Sequence, residues 1–154
     1  MKNNMPEQIT KIINNLRSYY LIKDTIKLDE KYLKESPLNG VSYDGIQTGV
    51  TYKVTSTTET LALRRLQKEN RIKEYKDIIM QIDDAMEILS DVEKKIITLR
   101  DIEQYTWMQT EYHVGLSESQ CKRIRKEALS KMQEQIYHER YNFKTKCSQY
   151  ALGL

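Results

Sequence analysis

Five basic side chains fall within ten residues of this chain: Lys122, Arg123, Arg125, Lys126 and Lys131, with a single acid, Glu127, among them. The local balance of +4 exceeds the +3 of all 154 residues, so positive charge is concentrated rather than spread. Guanidinium and ammonium groups at this density suit oxyanions, and Arg forks onto two acceptors at once. Ser117, Ser119 and Gln120 precede the run and add neutral donors and acceptors. A solvated helix face usually mixes its signs, which this stretch does not.

Other chemistries lack their residues. There is no glycine-rich phosphate loop, no Cys-x-x-Cys and no His-Glu-x-x-His. His113 and His138 are far apart and have no carboxylates or thiols at metal-ligand spacing. Asp83 and Asp84 are adjacent, and adjacent helical residues do not converge on one site. The sequence therefore points to no enzyme, cofactor or metal. Cys121 and Cys147 read as free thiols in a reducing compartment rather than as a disulfide.

The basic run needs a helix to present it. Ser117 is an N-cap and Gln120 stands where a capping box places Glu or Gln. Cys121, Ile124, Ala128 and Met132 recur at steps of three and four, forming an apolar side opposite Ser119, Gln120, Lys122, Arg123 and Lys126. Upstream, Thr106 and Gln109 form a second box opening a short helix to Val114, and Gly115 supplies the left-handed turn. A third box, Ser90 with Glu93, opens a helix with Val92, Ile96, Leu99 and Ile102 on one side. Trp107 is the expected core anchor beside Leu99, Val114, Leu116 and Ile124. Helix, glycine turn and basic helix make the helix-turn-helix arrangement, whose second helix enters the DNA major groove. On that reading Ser119, Gln120, Arg123 and Lys126 face base edges, while Ser117, Lys122, Arg125 and Lys131 bind phosphates. Such modules usually carry a small residue four positions before the turn glycine, and here it is Glu111. Either the two helices sit further apart, or Glu111 turns outward and Thr110 with Val114 faces inward.

The segments Leu89–Arg100, Gly115–Gln120 and Lys122–Leu129 resemble region four of bacterial sigma factors, over roughly 50 residues. As a whole the chain resembles the RinA/ArpU-type late transcriptional regulators of Gram-positive prophages, which join a helical N-terminal half to a sigma-like module. The resemblance implies activation of phage late genes, with double-stranded DNA and bacterial RNA polymerase as partners, in the bacterial cytoplasm at the nucleoid. A second reading stays open: a small phage packaging or assembly protein that oligomerises through its long helices and holds DNA without sequence preference.

Composition sets the remaining expectations. Charged residues at 31%, five Gly and two Pro favour long exposed helices over a compact α/β domain. Eleven Tyr suit half-buried positions on thin helical structure, with ring packed and hydroxyl wet. No signal peptide opens the chain and no apolar run approaches ~20 residues, so a soluble, cytosolic protein without a membrane partner is expected. The fold expected is all-α: a long N-terminal helical hairpin or stalk, then a sigma region-four-like helix-turn-helix domain.

In chain order, Ile9, Ile12, Ile13, Leu16 and Ile26 predict one helix within residues 1–35, ended by Ser36-Pro37 and Asn39-Gly40. Residues 36–57 read as a polar loop, with Thr51–Thr55 alternating like a strand that lacks a partner. Residues 58–89 form a long central helix with a stripe from Ile72 to Leu89. That stripe suits pairing with the first helix folded back antiparallel, or with another subunit. Its basic first half, from Arg64 to Lys76, reads either as a plainly solvated face or as a second place for phosphate contacts. Residues 90–137 form the reading module, and 138–154 a tail that is either a short packing helix or disordered.

Overall fold

The computed structural model describes the backbone of residues 5–35 and 55–151, with side-chain surroundings for 7–35 and 59–138. Six α-helices follow in order: α1 Met5–Arg17, α2 Tyr19–Glu35, α3 Thr55–Glu87, α4 Asp91–Ile97, α5 Trp107–Val114 and α6 Glu118–Ala151. A π-helical turn, Thr98–Ile102, follows α4. No strand occurs among the described residues, so the chain is all-α. The loop expected at 36–57, with its alternating stretch, lies outside the described residues except for the start of α3.

Two compact units divide the chain, one of residues 1–21 and 78–154 and the other of residues 22–77. The first unit is built on α1, α4, the π turn, α5, α6 and the end of α3. Ile12 and Leu16 of α1 meet Ile82 and Ala85 of α3, Leu89, Ile97 and Ile102, and Ala128, Leu129, Met132 and Ile136 of α6. Full burial of an Ile or Leu contributes on the order of 1.5–3 kcal/mol, which makes this seam the main source of cohesion. The stripe from Ile9 to Leu16 that marked the first helix is therefore its buried face.

The helix expected across residues 7–34 is two helices. Ser18 interrupts it, although its N–H still donates to Asn14 O at 3.1 Å. Serine competes for backbone partners and weakens helix interiors. Gln104 Nε2 reaches the carbonyl of Arg17 at 3.5 Å, where α1 has run out of internal donors.

In the second unit α2 and α3 run antiparallel, since Leu33 O meets Arg65 while Glu30 meets Lys76. Their junction is ionic. Asp29, only 2% exposed, accepts from Lys68 Nζ at 2.7 Å and from Arg71 through two bonds of 2.7 Å. Burial alone would raise the Asp29 carboxyl, but the Lys68 and Arg71 bonds outweigh it and hold it below the ordinary range. Lys68 also lies 4.6 Å from the Tyr32 ring centroid. Leu28, Leu61, Leu63 and Leu66 remain exposed.

Candidate nucleic-acid interface

The three capping boxes form as read. Ser90 accepts from Glu93 N while Glu93 Oε2 accepts from Ser90 N at 2.9 Å. Thr106 and Gln109 repeat the exchange at the start of α5. Before α6, Gln120 N donates to Ser117 Oγ at 3.4 Å and Ser117 N to Gln120 Oε1 at 3.2 Å. Gly115 closes α5 with φ of 76° and donates to Glu111 O at 2.8 Å.

The alternatives left open at Glu111 resolve in one direction. Glu111 is exposed, and Thr110 is fully buried with its hydroxyl donating to Thr106 O at 2.9 Å. A threonine whose hydroxyl is satisfied within its own helix can occupy a tight apolar contact at little cost. Cys121 is buried on α6, its thiol donating to Leu116 O at 3.6 Å. Burial, then the Glu111 charge, pushes that thiol above its ordinary value.

Trp107 departs from its expected place. It is only partly buried and stands at the first position of α5 as a platform for cations. Arg100, Lys122 and Arg125 lie 4.8, 5.5 and 6.0 Å from its ring. Leu99, Val114, Leu116 and Ile124 are half-buried, while Ile96 and Ile102 of the expected stripe are buried together with Ile97. A π turn follows α4. Its wider coil is closed by Glu103 N donating to Thr98 O at 2.8 Å, and its Asp101 and Ile102 are buried. Val92, expected inside, is 44% exposed, and the capping-box acid Glu93 is buried in its stead.

Those two buried acids divide the basic residues of α6 into two groups. Arg125 grips Asp101 with both arms, Nε to Oδ2 at 2.8 Å and Nη2 to Oδ1 at 2.5 Å. Lys131 Nζ lies 2.7 Å from Glu93 Oε1. Burial would raise the Glu93 carboxyl, but the Lys131 bond and the bonds with Ser90 hold it below its ordinary value. The sequence assigned Arg125 and Lys131 to phosphates; the structure places both in pairs with acids of α4 and the π turn. Ser117 and Gln120 likewise close the cap on each other. Lys122 pairs with Glu118 one turn away, an exposed bond that leaves the ammonium accessible.

Ser119, Arg123 and Lys126 remain exposed, and no ion pair or side-chain hydrogen bond holds them among the described residues. With Lys122 and Ser130 they recur at three- and four-residue steps along one exposed side of α6. The stripe from Ser119 to Ser130 is about 16 Å long at 1.5 Å per residue. Ser130 was not singled out from the sequence, although its spacing from Lys126 gives it away. Asp101 carried no local signal, because its partner lies 24 residues away.

The second basic segment behaves differently. Of the cations from Arg64 to Lys76, Arg65 pairs with Glu69, Lys68 and Arg71 with Asp29, and Lys76 with Glu30. The Lys68, Arg71 and Lys76 pairs join α2 to α3, the Arg65 pair lies within α3, and Arg64 and Lys73 stay exposed there. On α6, Arg123 and Lys126 are exposed close together on one face.

Among the described residues, no group of His, Cys, Asp and Glu could hold a metal ion, and no helix is long and apolar enough to cross a membrane. The side chains of the expected tail lie largely outside the described residues, but its backbone continues α6 to Ala151 without a break. No curated protein and no solved structure matches the chain. A family model does match, over residues 5–134 and so most of the length, and the chain belongs to that family, described as a protein of unknown function (DUF722).

Proposed function

We propose that this protein is a DNA-binding transcription regulator of the phage late-gene type, with α5, the Gly115 turn and α6 acting as a helix-turn-helix. The observation that carries the reading is the exposed face of α6: Ser119, Arg123, Lys126 and Ser130, with Lys122 beside them in an exposed pair with Glu118, beginning one turn past a glycine-closed helix. In such modules the first residues of the second helix reach base edges. Arg123 is the reader of guanine, Ser119 and Lys126 flank it, and Lys122 contacts the backbone. Bacterial RNA polymerase is the second partner proposed, on the strength of the sigma-like resemblance.

Selection of bound duplexes from a random pool, at low and moderate salt, tests the reading. A recovered motif that persists at moderate salt is expected. Arg123→Ala then costs about 1–3 kcal/mol at one position of that motif and little elsewhere. Binding that yields no motif and vanishes as salt rises would leave only phosphate attraction and overturn the proposal. The exposed Leu28, Leu61, Leu63 and Leu66 of α2 and α3 favour the alternative, an assembly protein that oligomerises through these helices. A ring-sized mass in solution together with the absent motif would establish it.

A further inference from the structure

We infer that Asp101 and Arg125 are positioning residues that set the rotation of α6, and so decide which of its side chains can meet base edges. The inference rests on the proposed DNA-reading role and extends it to residues that touch no DNA.

Three features of the pair support it. Asp101 is 1% exposed and lies within the π turn, four residues after the buried Ile97. Arg125 engages it through two parallel bonds, and a planar fork gripping both carboxylate oxygens resists twisting in a way a single ammonium contact does not. Arg125 also lies between Arg123 and Lys126 in sequence, so any rotation of its Cα moves both readers together. A change of one residue in helical phase is 100° and would carry Arg123 off the exposed side altogether.

A second clamp of the same kind lies further along. Lys131 of α6 meets Glu93, 6% exposed, which is already fixed by its capping bonds with Ser90. The two anchors are six residues apart on α6, about 9 Å at 1.5 Å per residue. Two fixed points along an axis define both its rotation and its slide. In each case the acid belongs to α4 or the π turn and the base to α6, so the direction of the reading helix is set by the element before it.

The test replaces the pair without stranding a charge: Asp101→Leu with Arg125→Met, compared with the parent chain. The double variant keeps the net charge of +3, and hydrophobic substitutes for a buried ion pair are generally tolerated. Circular dichroism checks that it folds. A second variant, Arg125→Lys, keeps the charge and loses the fork. Affinities are measured on the selected duplex and on random duplex across a salt series. The double variant is expected to bind random DNA within about twofold of the parent and with the same salt slope. Its preference for the selected duplex falls about tenfold or more, and Arg125→Lys falls between the two. Equal loss on both duplexes, with the salt slope reduced by about one, would instead make Arg125 a phosphate contact and overturn the inference. An unchanged preference would make the pair a contributor to folding alone and overturn it equally. Failure of the parent to select any duplex overturns the DNA-reading role itself, an outcome separate from both.

Discussion

Replacing Lys131 by Ala separates its two possible roles by sign as well as size. Its ammonium is 2.7 Å from Glu93 Oε1, and the Glu93 side chain is 7% exposed while that of Lys131 is 51% exposed. Removing one partner of a fully buried pair costs about 3–5 kcal/mol, because the other charge is stranded. Here the Lys131 side is half in water and the bonds with Ser90 survive, so the cost is discounted to about 1–2 kcal/mol. For a chain of this length that lowers Tm by about 2–8 °C. The pH dependence follows from the depressed Glu93 carboxyl. Such a group stabilises the fold fully above its unfolded value, about 4.3 for Glu, and loses that contribution as pH falls through the lower folded value. Thermal unfolding of parent and Lys131→Ala is therefore expected to differ at neutral pH and to converge in acid. An equal Tm at neutral pH, or a gap that persists undiminished well below the Glu range, would refute the assignment. So would a salt slope of DNA binding that falls by about one in the variant, since that marks a phosphate contact.

Two further outcomes test the scaffold. Asp29→Asn removes the charge that joins α2 to α3, and amide exchange across residues 22–35 and 59–77 is expected to speed up about tenfold at neutral pH, with no difference from the parent well below the ordinary Asp value of about 3.9. Unchanged exchange would mean that apolar contact, not the carboxylate, holds the hairpin. Gly115→Ala costs about 1 kcal/mol purely through the backbone, because φ is 76° and nothing lies within 4 Å of an added Cβ. A Tm within error of the parent would show that the turn relaxes to another conformation.

The parts of the fold that were legible in the sequence are those decided by neighbours in the chain. Capping boxes at Ser90, Thr106 and Ser117 are three-residue exchanges, so the starts of α4, α5 and α6 could be read directly, and Gly115 marked the end of α5. The apolar face Cys121, Ile124, Ala128 and Met132 followed from period alone; Ile124 is half-buried and the other three are fully buried. The break at Ser18 was not legible, because serine is tolerated within helices and the apolar spacing runs on past it. Nor was the π turn at Thr98–Ile102, since Leu99 and Ile102 fit an ordinary helical stripe as well as a widened one. The buried side instead runs through Glu93, Ile97 and Asp101, with Leu99 only half-buried.

The misplacement of Arg125 and Lys131 has the same root. A count of basic residues measures how much charge a helix carries, whereas binding depends on how much of it lacks a partner. The partners, Asp101 and Glu93, lie 24 and 38 residues upstream, and no local pattern ties either of them to α6. Of the cations from Lys122 to Lys131, the two nearest the packed side are held by buried acids, and the rest face outward. The neutralised pair and the free stripe are complementary consequences of one geometry: the acids that draw Arg125 and Lys131 toward α4 and the π turn also fix Arg123 and Lys126 on the outward side. An interface that reads bases needs both, free donors to make contacts and a rotation fixed closely enough that each donor meets the same base every time.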